Sequence, residues 1–331
     1  MSVDFDKLFF DISKMKVAVI GDVMLDTYWW GSVERISPEA PVPVVAVTKK
    51  EQRIGGAGNV ALNIEELGAY VALLTILGDD EDGNQLKKLL TEKNIDTRYI
   101  LESKKRITTN KIRIISRNQH MMRLDAEMVN DLDFVDEENL QNQVQKFINT
   151  EKPDAVIFED YNKGILTKSI IENTIAFCQK NNIISAVDPK RKNFFSYRNA
   201  TLFKPNLNEA ITGLNLLPEE VSAELLSNIH FQLKEKLDHS ISLITLSEKG
   251  VFYQENDDQK ILPSHRRNIA DVSGAGDTVI AVASLIYAAT KNIDLAARIA
   301  NIAGGIVCEE VGTVPIQKEK LFQECQKLMT E

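Results

Sequence analysis

The fold assignment depends on the stretch DVSGAGDTVIAVAS, residues 271–284. Three small residues, Gly274, Ala275 and Gly276, directly precede an apolar run that is typical of a buried helix. The first N–H groups of a helix have no intrahelical acceptors and lie at the positive end of the helix dipole, so they attract anions. Asp277 stands in this first turn. Its carboxylate either satisfies its own helix or lies beside a bound phosphate as a reactive group.

Strand-like and helix-like segments alternate on both sides of this stretch. A short apolar run at 15–22 predicts a first strand, and similar runs at 69–80 and 153–160 are each followed by a segment with helical periodicity. This alternation predicts one α/β domain over residues 1–331, with a mostly parallel central sheet flanked by helices on both faces. Segments 28–49 and 106–125 instead alternate polar and apolar residues, and we expect them to form a small β-sheet lid.

Composition excludes several classes of function. The 331 residues are 44% apolar and 26% charged, which is typical of a soluble globular protein. A net charge of −9 argues against nucleic-acid binding and against binding to anionic membranes. The longest apolar run, 279–289, is too short to span a bilayer. Three cysteines without metal-ligand spacing, and no signal peptide, predict reduced thiols in a cytoplasmic protein.

A second glycine-rich motif could belong to a dinucleotide-binding site or to a site for phosphoryl transfer. Residues 56–61, GAGNVA, match the G-x-G-x-x-A pattern of dinucleotide-binding enzymes, but the residues before them, 48–53, are polar and not a buried strand. The sequence therefore argues against a dehydrogenase. A Walker A loop is absent as well. Phosphoryl transfer needs positioning, charge stabilisation and a base for the acceptor hydroxyl, and the stretch that ends at Asp277 could supply all three.

Both motifs also carry a family resemblance. DVSGAGDT (271–278) and GGAGNVA (55–61) resemble the two signatures of the ribokinase-like (PfkB) carbohydrate kinases, in the same order and over essentially the whole chain. Further stretches, including FEDYNKGIL (158–166), resemble the subgroup that phosphorylates D-glycero-β-D-manno-heptose 7-phosphate. Three departures stand out: Asn162 replaces an expected glycine, Ser273 replaces the usual threonine, and SEKG (247–250) lacks the glycine common at its second or third position.

The resemblance implies a reaction and its participants. ATP would phosphorylate the heptose 7-phosphate at O1, giving the 1,7-bisphosphate for ADP-heptose and lipopolysaccharide core synthesis. Mg²⁺ would accompany ATP, and a monovalent cation such as K⁺ is a further candidate. A homodimer through the lid is expected. Two alternatives stay open: another kinase of this family, acting on ribose, a fructose phosphate or adenosine, and a non-catalytic sensor of sugars or nucleotides.

The same resemblance implies a role for individual residues. Asp277 would be the catalytic base, and Gly274, Ala275 and Gly276 would form the anion hole. The sugar would be bound by Asp22, Asp26, Gly56 and Asn59. ATP would be bound by Asn206, Glu209, Ser247, Gly250, Asn301 and Gly305, and Mg²⁺ would be held by Asn206 and Glu209 through water.

The phosphate on such a sugar would require cations near its far end. Lysine and arginine bind phosphate by charge and by hydrogen bonds. Four basic residues are candidates: Arg123, Lys163, Lys190 and Arg191. Each could instead be a solvated surface charge.

Overall fold

A computed structural model describes residues 3–117 and 119–329, in which a nine-stranded sheet lies between two layers of helices and a four-stranded sheet stands beside it. The strands are β1 Lys16–Gly21, β2 Val23–Ile36, β3 Pro43–Gly56, β4 Tyr70–Gly78, β5 Ile100–Ser103, β6 Thr109–Ser116, β7 Gln119–Ala126, β8 Ala155–Glu159, β9 Ile184–Asp188, β10 Leu202–Phe203, β11 Ile241–Thr245, β12 Val251–Glu255 and β13 Asp258–Leu262. The helices are α1 Phe5–Ile12, α2 Ala57–Glu66, α3 Glu81–Glu92, α4 Phe134–Glu151, α5 Lys168–Lys180, α6 Leu207–Leu214, α7 Ala223–Leu237, α8 Ala275–Thr290, α9 Ile293–Val307 and α10 Lys318–Met329. Two short 3₁₀ turns cover Arg191–Asn193 and Ser247–Lys249.

The central sheet has the strand order β13-β12-β11-β10-β9-β8-β1-β4-β5. Seven neighbouring strands, from β11 to β5, run parallel, and the β11–β12–β13 meander at one edge is antiparallel. The carboxyl ends of the parallel strands therefore open at one rim, which is where ligands bind in open α/β sheets. The expected mostly parallel sheet is confirmed.

Successive residues of the buried strands point to opposite faces of the sheet, so each strand contributes to two cores. In β1, Val17 and Val19 belong to the core under α1, α2, α8 and α9, whereas Ala18 and Ile20 belong to the core under α4, α5 and α7. Helix α8 is buried from Asp277 to Tyr287, which explains why its sequence is apolar on every side.

The four-stranded sheet, called the lid below, has the order β3-β2-β6-β7. The small second sheet was expected, but its strands reach beyond 28–49: β2 begins at Val23 and β3 continues to Gly56. These two strands pair without interruption from the core outward, with register shifts only near Gly31 and Val33. The lid therefore begins at the carboxyl end of β1, an interior strand of the central sheet, and its far end is solvent-exposed.

Among the described helices, we find none with the length and apolar character needed to cross a membrane. Cys178, Cys308 and Cys325 are all buried and unbridged.

Candidate active site

Asp277 lies in the first turn of α8, fully enclosed by two neighbouring elements. Its Oδ2 accepts a hydrogen bond of 2.8 Å from the side-chain amide of Asn59 on α2, and its Oδ1 accepts one of 2.9 Å from the Tyr161 hydroxyl after β8. The N-cap of α8 is Gly274, whose position gives no side-chain cap. Asp277 is therefore not the N-cap of its helix. Burial raises the pKa of Asp277 above its ordinary value, and the hydrogen bond from Asn59 opposes that rise.

The residues before Asp277 bring the chain close to α2. Gly274 has φ 78°, and a Cβ there would lie 2.8 Å from the Asn59 amide nitrogen, so only glycine fits. The amide of Ala275 donates to the Val272 carbonyl at 3.3 Å. In the described part of the chain the amides of Gly276 and Asp277 have no such acceptor outside the helix, as expected at a helix start. These two N–H groups are the ones free to bind an anion.

Three buried carboxylates meet at the carboxyl ends of β8, β9 and the start of α8. Oxygens of Glu159, Asp188 and Asp277 lie within 4.8 Å of one another. Both oxygens of Glu159 are buried without a hydrogen-bond partner among the described residues, and burial raises the pKa of Glu159 well above its ordinary value. Asp188 is ion-paired with Lys204 at 2.8 Å and with Lys190 at 3.3 Å. Although burial opposes its ionisation, these two lysines hold the pKa of Asp188 below its usual value.

Asn206 and Glu209 form a reciprocal cap at the start of α6. The Asn206 side chain accepts from the Glu209 amide, and the Glu209 side chain accepts from the Asn206 amide, both at 2.8 Å. The other oxygen of Glu209 accepts from Lys190 at 2.6 Å. The Lys190 ammonium thus lies between the carboxylates of Asp188 and Glu209. The oxygens of these two carboxylates are the kind of ligand that a hard cation such as Mg²⁺ prefers.

The two aspartates expected to bind sugar hydroxyls have different surroundings. The carboxylate of Asp22 accepts from the backbone amides of Tyr161, Lys163 and Ile165, so it shapes the loop after β8. Oδ2 accepts two of these bonds and Oδ1 only one, so the carboxylate keeps acceptor capacity, and the sugar-binding role of Asp22 stays a prediction. Asp26 is buried: one oxygen accepts from Arg113 at 2.5 Å, and the other lies against Gly55, where a Cβ would come within 2.3 Å of it.

Gly56 and Asn59 lie where β3 turns into α2. A Cβ at Gly56, which has φ 59°, would lie 2.3 Å from the Asp22 carbonyl oxygen. The glycine therefore allows β3 to enter α2 against the end of β1, and this turn brings Asn59 to Asp277.

The structure separates the four basic candidates for sugar phosphate. Lys163 pairs with Glu127 at 2.7 Å and has a largely buried side chain. Lys190 is bound by Asp188 and Glu209, on the side expected for the nucleotide. Arg123 is exposed at the edge of the lid and held by Asp125, and Arg191 is exposed on a 3₁₀ turn. Because the two arginines lie on the surface, the structure does not bring all four cations together.

Three of the four remaining nucleotide candidates lie against one segment, 262–267, at the end of β13. A Cβ at Gly250 would meet the Leu262 carbonyl at 2.0 Å, and Asn301 donates to the Pro263 carbonyl at 2.9 Å. Gly305 lies under the Arg267 side chain, and a Cβ at Gly305 would come within 2.9 Å of Arg267 Nε. Ser247, with φ 56°, opens the turn that leads to Gly250. The four residues therefore border one edge, between the β11–β12 turn and α9.

Comparison with known proteins decides the family. Residues 14–320 match the pfkB family of carbohydrate kinases. The chain is 39% identical over 303 residues to a bifunctional protein HldE of Sulfurimonas denitrificans, a match that covers 91% of this chain and 62% of the relative. This protein is a pfkB-family carbohydrate kinase. The chain thus spans less than two thirds of that relative's length.

Solved structures confirm the fold of the kinase. Phosphofructokinase-2 from Escherichia coli, in complex with potassium, superimposes with a TM-score of 0.79 at 17% identity, covering 96% of this chain and 100% of that one. Arabidopsis thaliana ribokinase, complexed with ribose and ATP, superimposes with a TM-score of 0.71 at 17% identity, covering 94% and 99%. The resemblance to ribokinase-like (PfkB) kinases is confirmed, and a dehydrogenase is excluded.

Asn162, a departure from the expected motif of this kinase subgroup, keeps the backbone geometry that a glycine would allow. It has φ 55°, a left-handed conformation that asparagine tolerates better than most residues. Its amide donates to Asp160 at 2.8 Å, and its side-chain oxygen accepts from the Lys192 amide at 3.3 Å. The loop that carries Tyr161 and Lys163 is thereby fixed without glycine.

Several residues of the kinase site were given no role by the sequence analysis. Tyr161, Lys204 and Glu159 each follow or end a strand of the central sheet, a position that marks the rim where ligands bind. That signal was available. No comparable signal identifies Lys111 or Arg113, because they lie on the lid and reach the site only through its folding back over the rim.

Proposed function

We propose that this kinase transfers the γ-phosphoryl group of ATP to O1 of D-glycero-β-D-manno-heptose 7-phosphate, giving the 1,7-bisphosphate. The observation that carries the proposal is the buried carboxylate of Asp277 next to the free amides at the start of α8, in a chain similar to HldE proteins. The product would serve ADP-heptose and lipopolysaccharide core synthesis in the cytoplasm.

In this mechanism Asp277 removes the proton from the sugar hydroxyl as O1 attacks the γ-phosphorus. Its carboxylate is oriented by Asn59 and Tyr161, so it needs no rearrangement to accept the proton. The amides of Gly276 and Asp277 stabilise the charge that develops on the transferring phosphoryl group. Lys204, buried and paired with Asp188, adds positive charge to the same region.

The nucleotide would bind along the edge formed by Ser247, Gly250, Asn301 and Gly305. Asp188 and Glu209, which now share Lys190, supply the oxygen ligands that Mg²⁺ prefers, and Asn206 adds a side-chain oxygen at the same helix start. When bound, Mg²⁺ neutralises charge on the phosphates of ATP. A monovalent cation such as K⁺ is a further candidate.

The lid would close over the sugar and exclude water, which limits ATP hydrolysis. Its outward face is apolar, with a row formed by Trp29, Ile114 and Met122, and the edge strand β7 is exposed along its whole length. An exposed edge strand and an apolar face favour association with another chain. This supports a homodimer formed through the lid.

The test of the proposal is ADP release with Mg-ATP over a panel of sugars. We expect turnover with heptose 7-phosphate and a loss of roughly 10²–10⁴-fold in kcat for Asp277→Asn, because the variant lacks the base. Asp257→Asn, on the exposed β12–β13 turn, makes the same chemical change away from the site and serves as the control. Near-full activity of Asp277→Asn would contradict the assigned role.

The second candidate is another sugar kinase of this family. The fold neighbours phosphofructokinase-2 and ribokinase support it, and the panel therefore includes fructose 6-phosphate, fructose, ribose and adenosine. Turnover with one of these and not with the heptose would replace the substrate and keep the mechanism.

A further inference from the structure

The lid has a charged inner face that bends over the active site. Strand pairing aligns its side chains in two rows, because residues opposite one another in a sheet share a face. One row is Arg53, Asp26, Lys111 and Asp125, and the other is Glu51, Tyr28, Arg113 and Arg123.

Every carboxylate on this face is already bound by an arginine. Asp26 pairs with Arg113 at 2.5 Å. Asp125 pairs with Arg123 at 2.8 Å, and Glu51 pairs with Arg53 at 2.7 Å. Lys49, two residues from Glu51 on the same strand, pairs with Glu51 as well, at 2.8 Å, so this face carries five cations and three carboxylates. Lys111 is the one cation of the five that has no carboxylate within ion-pair distance in the described part of the chain.

The unpaired Lys111 points into the site. It is partly buried, and its Nζ lies 5.4 Å from the ring centre of Tyr161, whose hydroxyl donates to Asp277. One tyrosine side chain therefore separates Lys111 from the base.

A second ammonium faces Lys111 from the loop after β8. Burial lowers the pKa of Lys111, and the positive charge of Lys163 lowers it further, while the nearby carboxylates of Asp26, Glu127 and Asp125 oppose part of that fall without forming an ion pair with it. Lys163 pairs with one oxygen of Glu127, while the other oxygen of Glu127 is buried without a hydrogen-bond partner. A partly buried cation without a counter-ion is costly, and an anion placed between two ammonium groups would remove that cost.

We propose that Lys111, together with Lys163, binds the phosphate group of a phosphorylated sugar whose reacting hydroxyl lies at Asp277. The inference rests on the proposed function, since it takes Asp277 as the acceptor of the hydroxyl proton. A phosphate dianion would accept charge-assisted hydrogen bonds from both lysines. An unphosphorylated sugar would leave Lys111 unpaired, so the site discriminates in favour of sugar phosphates.

The first experiment compares paired substrates in wild type, Lys111→Met and the control Lys104→Met, which removes an exposed lysine outside the lid. For heptose 7-phosphate, Lys111→Met is expected to raise KM by roughly 10–100-fold, the range for a lost hydrogen bond to a charged group. KM for ATP and the activity on unphosphorylated heptose stay at wild-type values. An equal loss on both sugars would overturn the proposal, because it would indicate a structural role for Lys111.

The second experiment does not depend on which sugar is used. Inorganic phosphate is titrated calorimetrically in the presence of saturating Mg-AMPPNP, which occupies the amides at the start of α8. Wild type and Lys104→Met are expected to bind phosphate, and Lys111→Met at least tenfold more weakly. Equal binding by Lys111→Met would refute the phosphate site. If heptose 7-phosphate is not turned over but phosphate binding depends on Lys111, the proposed substrate fails and this site stands.

Discussion

At the scale of single residues, the reactivity of Asp277 depends on how two neighbours oppose its burial. Removal from water favours the neutral carboxyl, whereas hydrogen bonds from Asn59 and Tyr161 favour the carboxylate. A base must be ionised at the working pH to accept a proton, so these two donors keep Asp277 competent in a buried site. Tyr161 is therefore a positioning residue for the base.

Replacing Tyr161 by phenylalanine removes the hydrogen bond that lowers the pKa of Asp277. That pKa then rises, and the acidic limb of the kcat/KM profile moves to higher pH, by about one unit for the loss of about 1.4 kcal/mol. The measurement is the pH profile of ADP release between pH 5 and 8. Tyr253→Phe is the control, because its hydroxyl donates to Asp294, away from the base. An unshifted acidic limb in Tyr161→Phe would contradict this role.

At the scale of elements, α7 and the central sheet are joined by a buried polar group of three residues. The Ser242 hydroxyl on β11 lies 2.9 Å from His230 Nδ1 on α7 and 2.7 Å from His239 Nε2. Burial lowers the pKa of His230 to about 4 and that of His239 to about 3. Both rings are therefore neutral in the folded protein at neutral pH.

These low pKa values make the folded state sensitive to acid. A histidine in the unfolded chain has a pKa of about 6.5. The contribution of the two buried rings to the free energy of unfolding is therefore fully present above that pH and is lost as the pH falls toward 4 and 3. We expect the free energy of unfolding to fall by roughly 2–4 kcal/mol between pH 7 and pH 5 through these two groups. Urea titrations of wild type and His239→Gln at both pH values measure the effect.

The variant should lose part of this pH dependence, because glutamine does not titrate. His120→Gln, on the exposed lid strand β7, should keep the full wild-type dependence. The same change with pH in His239→Gln and wild type would show that the buried pair does not control acid stability.

At the scale of the whole molecule, the lid has two chemically different faces. The inner face carries the paired charges that border the site, whereas the outer face presents apolar side chains, with Met122 57% and Leu124 43% exposed. A face of this kind in water favours a partner, and a second copy of the lid offers the same apolar surface. The association of two chains would also fix the position of the inner face over the sugar.

We therefore expect Met122→Glu to weaken the homodimer, since a charge on the outer face would be buried on association. Light scattering coupled to gel filtration should report about twice the 37.2 kDa chain mass for wild type and a shift toward one chain for the variant. Leu217→Glu, at an exposed apolar residue far along the chain from the lid, should remain dimeric. A wild-type protein of single-chain mass would contradict the dimer.

The sequence by itself determined the architecture and the chemistry of the reacting groups. Strand and helix periodicity is local, and a parallel sheet brings the carboxyl ends of its strands to one rim, so the layers and the position of Asp277 at a helix start could be predicted. The glycine-rich turns at Gly56 and Gly274 could also be predicted from the sequence, because glycine is the residue that fits a turn where a side chain would clash. The two signatures together were specific enough to identify the carbohydrate kinase family.

Only the tertiary structure decided which polar groups are available to a ligand. The Asp22 carboxylate accepts hydrogen bonds from three backbone amides of the loop after β8, far from it in sequence, and Lys190 is paired with both Asp188 and Glu209. Likewise, Lys111 became a candidate only once the ion pairs were known, because each carboxylate of the two inner rows pairs with an arginine and Lys111 pairs with none of them. A charged side chain is available to a ligand only if no neighbouring side chain already pairs with it. Ion pairs across a sheet depend on the strand register and on how the lid folds back over the rim, and no local sequence pattern encodes either.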